Sequence, residues 1–353
     1  MVDRNLSAFT KSLMRMGSRK GKPNRPVSLW REKDNLNGLP EETAVVIFRT
    51  TGCSWYRFSS CTMCGYFNDI DPGVTKENLI KQIDYVKESI GNTKALKVFT
   101  SGSFLDPLEF PIDAREYFFS VLQDTVDKFL VESRNEYITR KNLENVSSYG
   151  KRIRIAIGLE SSNDLIIERS VNKGSSLSKF REAASTVRDM GMESRAYLLF
   201  KPPFISEKAA IEDTMKSVGD AAPFVTDLSV NPMNIQKNTL VEYLWKRALY
   251  RPPRLLSVAR ILMESLKNGY RVVSYPTAGN RERGAHDEEQ NADLLKAIYD
   301  ASLTQDYRIL EEILNSIDIS LYLNELDIED KQLFQSDYGR MVSRISSSSV
   351  SIA

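Results

Sequence analysis

Histidine is almost missing from this chain of 353 residues: His286 is the only one. That excludes a multi-histidine metal site or acid–base centre. Cysteine is scarce too, with three residues, an odd number in a long chain, which excludes a disulfide framework. No apolar run approaches the roughly 18 to 20 residues of a membrane span. The opening stretch MVDRNLSAFTKSLMRMG has no apolar core of a secretory signal, so no membrane partner and a cytoplasmic setting are expected. Charge of one sign is lacking as well: 48 Lys+Arg against 47 Asp+Glu leave +1. Broad electrostatic coating of nucleic acid is therefore not expected, although a local patch remains open in residues 1–31, where Arg4, Lys11, Arg15, Arg19, Lys20, Lys22, Arg25 and Arg31 face only Asp3. At 41% hydrophobic and 27% charged residues, the composition is that of a globular protein and excludes wholesale disorder.

What cysteine there is lies together. Cys53, Cys61 and Cys64 fall in one short stretch, Cys-x7-Cys-x2-Cys, a spacing that asks for a common ligand. A tetrahedral structural zinc wants four ligands, and the one other strong candidate, His286, is far away in sequence. A 4Fe-4S cluster is normally held by four thiolates, so three leave one iron open to a small molecule. The zinc site stays as the alternative.

The continuous apolar run 44–48 reads as a strand buried on both faces, and Thr50-Thr51-Gly52 turns the chain into the cysteines. The cysteine loop thus hangs from the C-terminal end of a buried strand, where α/β barrels keep their chemistry. Further strands are predicted at 96–100, 129–134, 154–160, 197–200 and 225–230, separated by helices at 76–90, 113–128, 142–148, 177–190 and 207–218. The fold class is therefore α/β, a partial (β/α)6 TIM-type barrel over 41–280. A basic N-terminal extension is expected over 1–40. Two or three helices packed on the barrel are expected within 281–340, and a Ser-rich tail over 341–353.

Several motifs resemble the radical S-adenosylmethionine (SAM) enzymes. Val131-Glu132-Ser133-Arg134-Asn135-Glu136-Tyr137-Ile138, Ile157-Gly158-Leu159-Glu160-Ser161 and Asn172-Lys173-Gly174-Ser175 are similar to the Elongator catalytic subunit and its relatives. The run from Asn231 to Glu242, with Tyr250-Arg-Pro-Pro-Arg254, resembles more narrowly the archaeosine-biosynthesis radical SAM family. Lys173 stands where relatives usually carry Arg, and Asp287-Glu288-Glu289 where they often carry further cysteines.

The resemblance implies a 4Fe-4S cluster on Cys53, Cys61 and Cys64, and SAM as cofactor. For SAM it implies Ser101, Gly102 and Ser103 near the methionyl ammonium, and Glu132 and Glu160 for an ammonium or the ribose diol. Lys173 falls to the methionyl carboxylate and Met63 and Tyr66 to the adenine, with Arg195 and Tyr197 as weaker candidates. Each has an ordinary alternative: a polar turn, a structural ion pair, a solvated lysine or apolar shielding. Asn231, Asn234 and Gln236 are amides suited to the substrate. His286, in a charged stretch, reads more simply as a surface residue.

For activity, the family implies work on tRNA position 15, in the D-arm. A lysine-transferring α subunit of archaeosine synthase joins lysine to the nitrile carbon of 7-cyano-7-deazaguanine. This type of protein then breaks the lysine Cε–Nε bond, leaving the amidine of archaeosine, with electrons from a donor such as a ferredoxin. Without other cysteines there is no auxiliary cluster to donate sulfur. Two alternatives stay open: an Elongator-like enzyme for another RNA base or a metabolite, and a zinc-bound RNA-binding protein.

Overall fold

The computed structural model describes residues 3–14, 21–289 and 291–334. Strands β1 (Ser28–Asp34), β2 (Glu41–Ile47), β3 (Thr93–Phe99), β4 (Val126–Ser133), β5 (Ile153–Glu160), β6 (Glu193–Phe200), β7 (Asp227–Pro232) and β8 (Val272–Val273) form one sheet in chain order. β1 runs antiparallel to β2, and every other neighbouring pair is parallel. β2 to β7 are the six strands expected from their apolar runs. Parallel pairing requires crossovers, and helices supply them.

The helices are α1 (Arg4–Leu13), α2 (Ser54–Phe58), α3 (Lys76–Ile90), α4 (Ile112–Leu122), α5 (Arg140–Ser147), α6 (Asp164–Ile166), α7 (Leu177–Asp189), α8 (Glu207–Ala221), α9 (Leu240–Trp245), α10 (Leu255–Lys267), α11 (Ala292–Thr304), α12 (Arg308–Asn315) and α13 (Ser320–Phe334). Their starts carry chemical signals: Thr75 and Asn78 form a capping box on α3, and the Ser176 and Ser206 hydroxyls accept from the first turns of α7 and α8. The helices cover the outer face of the sheet, where Phe48, Phe104, Phe110, Phe118, Phe119 and Phe129 pack largely edge to face.

Two expectations on organisation change. Residues 28–34 are not an extension but an edge strand of the sheet, and α1 packs near α9. The helix expected to reach Lys128 ends at Leu122, because Val126 already begins β4. The C-terminal helices resolve as α11, α12 and α13, while Arg15, Arg19, Lys20 and the Ser-rich tail lie outside the described residues.

On the inner face the strands present charge. Lys128 pairs with Glu193 at 2.6 Å, and Arg154 bonds Glu193 at 3.0 Å and Asp227 at 2.6 Å. Arg195 grips Asp227 at 2.9 and 2.8 Å and reaches Asp34 of β1 at 3.4 Å; Lys97 meets Asp34 at 2.8 Å and also pairs with Glu32. A contact between β6 and β1 is only available because the sheet curls. Burial would raise the Asp34 carboxyl, but Arg195 and Lys97 hold it well below the ordinary range. β1 and β8 do not pair. Instead, the Tyr275 hydroxyl donates to Asp34 at 3.0 Å, and the Asn35 amide donates to the Leu303 carbonyl of α11 at 2.6 Å, bridging the gap between the two edges.

Candidate functional site: the cysteine loop and the cavity it opens into

The cysteine loop is fastened on three sides. Thr50, at the end of β2, donates to Glu109 at 2.8 Å. Between Cys61 and Cys64, Thr62 gives its N–H to the Val171 carbonyl at 3.0 Å and its hydroxyl to the Ser170 carbonyl at 2.6 Å. Gly65 donates its N–H to the Gln236 side chain, which packs so close that a Cβ on Gly65 would lie 2.6 Å from the Gln236 Cβ. The thiols are thus positioned by backbone and buried polar contacts rather than by a free loop.

Behind the three sulfurs sits a small apolar pocket lined also by Met14, Trp55, Tyr56 and Phe67. Burial pushes the Cys53 and Cys61 thiols up, Cys61 to about 11, while the nearby Arg134 guanidinium pulls both the other way. Arg134 is itself buried, 5.0 Å over the Trp55 ring, and donates to the Lys173 carbonyl at 2.8 Å. A fixed cation beside thiols in an apolar setting suits an anionic cluster. Among the described residues no three His, Cys, Asp or Glu side chains converge on a single ion. The single histidine is occupied elsewhere, with Nδ1 2.8 Å from the Gly284 carbonyl.

All three cysteines also line a cavity of about 600 Å³ at the C-terminal ends of the strands, a size typical of ligand sites. Met63, Tyr66, Ser101 and Gly102 border it near the loop. Gly102 approaches Cys53 so closely that an added Cβ would fall 2.6 Å from the Cys53 Cβ. Ser103 does not border the cavity. It is buried and its hydroxyl accepts from the Arg134 N–H at 2.9 Å, which ties the ends of β3 and β4 together.

Glu132, Glu160 and Lys173 face the same space. Glu160 ends β5 at a bulge with φ 71°, a left-handed conformation uncommon for a non-glycine residue, and its carboxylate pairs with the Lys173 ammonium. Lys173 is delivered by a π-helical turn, Ile167–Val171, and by Asn172 in the left-handed region. Asn172 donates to the Ser60 carbonyl at 2.8 Å and to Ser59 at 3.1 Å, locking this turn to the cysteine loop. The Glu132 carboxylate makes no hydrogen bond or ion pair among the described residues, and burial pushes it up to about 8 against the pull of Lys173.

At the base of the cavity lie Arg195, spent on Asp227 and Asp34, and Tyr197, whose hydroxyl is raised by burial and by Glu132. Asn231 belongs to β7 itself and accepts from Ser229 at 3.0 Å; Asn234 accepts from Gln236 at 3.4 Å. All three amides border the cavity, but the Gln236 oxygen is engaged by Gly65.

Sequence reasoning missed Glu109. This buried carboxylate accepts from the Ser101 N–H at 2.9 Å, the Ser103 N–H at 2.7 Å and the Thr50 hydroxyl, and burial pushes it up to about 7. It therefore sets the turn after β3 against the end of β2. The one signal for it was a carboxylate inside the apolar run Leu105-Asp-Pro-Leu-Glu-Phe110.

Comparison with known proteins agrees with this geometry. The profile of the Radical SAM superfamily matches residues 47–215. The chain is 37% identical to archaeosine synthase subunit beta of Methanosarcina acetivorans, over 80% of this chain and 84% of that one. It is 34% identical to archaeosine synthase subunit beta of Thermococcus kodakarensis, over 81% and 93%. Among solved structures, Elp3 of Methanocaldococcus infernus superposes with a TM-score of 0.50 at 14% identity, covering 77% of this chain and 62% of that one, a likeness of fold alone.

Proposed function

This chain belongs to the archaeosine synthase subunit beta family of radical SAM proteins, and we propose that it cleaves the lysine Cε–Nε bond of a lysine-adducted 7-cyano-7-deazaguanine in tRNA, leaving the amidine of archaeosine. One observation carries the reading: the three cysteines and the unpartnered Glu132, with the Glu160–Lys173 pair, border a single cavity. The 4Fe-4S cluster and SAM, when bound, supply one-electron cleavage of SAM and removal of a hydrogen atom from the substrate. Over the whole reaction SAM and water are consumed. Methionine, 5′-deoxyadenosine, the amidine nucleoside and a lysine-derived aldehyde are formed, and the electron is regained.

The chain's own residues bind and orient. Cys53, Cys61 and Cys64 would hold the cluster through their thiolates. Ser101 and Gly102, on the cavity wall beside Cys53, face the methionyl part. A zwitterionic amino-acid group can exchange partners with the Glu160–Lys173 pair at little electrostatic cost, because each charge remains matched. Glu132 ionises on meeting an ammonium or accepts from a ribose diol. Met63 and Tyr66 give the adenine an apolar and aromatic contact. Tyr197 remains an O–H donor beside Glu132, and the Arg195 ladder closes the base of the cavity against water. Asn231 and Asn234 lie at the rim for the base edge or the lysyl group.

The β designation of the relatives fits a partner subunit that installs the lysine, and a ferredoxin-type carrier fits the need for single electrons. No helix among the described residues is long and apolar enough to cross a membrane. The test is to incubate anaerobically reconstituted protein, reductant and SAM with lysine-adducted tRNA. The amidine nucleoside and 5′-deoxyadenosine are expected together; deoxyadenosine without the amidine would overturn the substrate assignment.

A further inference from the structure

The cavity runs on from the cysteine loop to the gap between the sheet's edges, where three rings gather. Trp30 comes from β1, Tyr275 from just beyond β8 and Tyr299 from α11, and all three border the cavity. The Tyr275 and Tyr299 rings stack at 5.8 Å and 26°. Glu32 joins the group: it accepts the Trp30 indole N–H at 2.8 Å and acts electrostatically on the Tyr299 hydroxyl. Polar edges are therefore tied down while faces remain open, since Trp30 and Tyr299 each keep 36% of their surface exposed. The rings of the phenylalanine cluster on the outer face of the sheet are, by contrast, buried. Lys33 borders the same cavity and has no hydrogen-bond or ion-pair partner among the described residues.

Fixed, half-exposed rings beside a free cation form the pattern that stacks a nucleobase and takes up its phosphate. We propose that Trp30 and Tyr299, backed by Tyr275, form the stacking wall for the unstacked target base of the RNA substrate, held where the cavity meets the gap between β1 and β8. The inference rests on the tRNA reading above and adds the site where the base is held. The base at this wall and the cofactor at the cysteine loop would share one cavity, as the transfer of a hydrogen atom between them demands.

The experiment measures both tRNA affinity and turnover of lysine-adducted tRNA with cluster-loaded full-length Trp30→Ala, Tyr299→Ala and Trp30→Phe. Each alanine substitution is expected to weaken tRNA binding and raise KM by about 5- to 100-fold. Trp30→Phe should remain close to wild type, with iron content and SAM affinity unchanged in all three. Turnover with unaltered affinity in both alanine variants would overturn the stacking wall and leave the substrate reading standing. Trp30→Phe as damaging as Trp30→Ala would also overturn it, because the indole bond to Glu32 would then be what matters. Weakened tRNA binding in the variants with no wild-type turnover would keep the wall and sink the lysine-adduct reading. A wild-type protein that neither binds nor processes tRNA would remove both.

Discussion

Gly102 and Cys53 come from the ends of neighbouring strands and leave no room between them: a Cβ on Gly102 would lie 2.6 Å from the Cβ and 2.7 Å from the Sγ of Cys53. Both obstructing atoms belong to Cys53, the residue proposed above as a cluster ligand. Gly102→Ala is therefore expected to fold, by circular dichroism, yet to hold well under half the iron of the wild type, which should carry about four per chain.

Glu132, proposed above to meet SAM, is expected to give SAM binding a pH dependence. Its carboxyl is pushed up to about 8, so in the empty cavity it is neutral below that pH and must ionise to meet a cation. SAM affinity should rise as pH rises from about 6 toward 8 and then level, approaching tenfold per unit well below 8. In Glu132→Gln the affinity should be lower by about tenfold at pH 8 and flat across this window. Isothermal titration over the pH range checks it.

Glu109 acts through the turn it holds. For an acid whose pKa rises from 4.5 unfolded to about 7 folded, the native state binds more protons between those values, so this part of the stability is present below pH 4.5 and lost as pH rises through 7. The loss is on the order of 3 kcal/mol. Urea melts at pH 5 and 8 should show it in the wild type, and Glu109→Gln should reduce the difference. The substitution also puts an amide against three donors and should cost about 1 to 3 kcal/mol at pH 5.

Asp227 is the hub of the inner ladder, accepting from Arg154 at 2.6 Å and from Arg195 at 2.9 and 2.8 Å. Asp227→Asn leaves two buried guanidinium groups facing a neutral amide. A loss of about 3 to 5 kcal/mol in denaturant unfolding is expected, without a change in cluster spectrum once the protein is folded.

How much of this was legible in the sequence differs by element. The cysteine loop and the strands β2 to β7 were plain, because a buried parallel strand needs an apolar run and the loop follows one directly. Glu132, Glu160 and Lys173 were placed at strand ends and a turn, and they do meet in one cavity. β1 was not legible: Ser28–Asp34 reads as charged, and it is a strand because its register with β2 puts Asp34 and Glu32 against Lys97. The ladder itself was hidden, since Lys128, Arg154, Arg195 and Asp227 find partners on strands far apart in the chain. The Ser103 hydroxyl, expected at the cofactor, accepts from the Arg134 N–H away from the cavity lining. The grouping of Trp30 with Tyr275 and Tyr299 was not legible, because it depends on the curl that brings β1 near α11.

The central claim is that a hydrogen atom leaves lysine Cε during cleavage. Supplying tRNA whose lysine adduct carries deuterium at Cε, and reading the mass of the 5′-deoxyadenosine formed, tests it most directly. One deuterium in 5′-deoxyadenosine is expected for each amidine nucleoside produced, and neither product from Cys61→Ala. Amidine formed with unlabelled 5′-deoxyadenosine would contradict it.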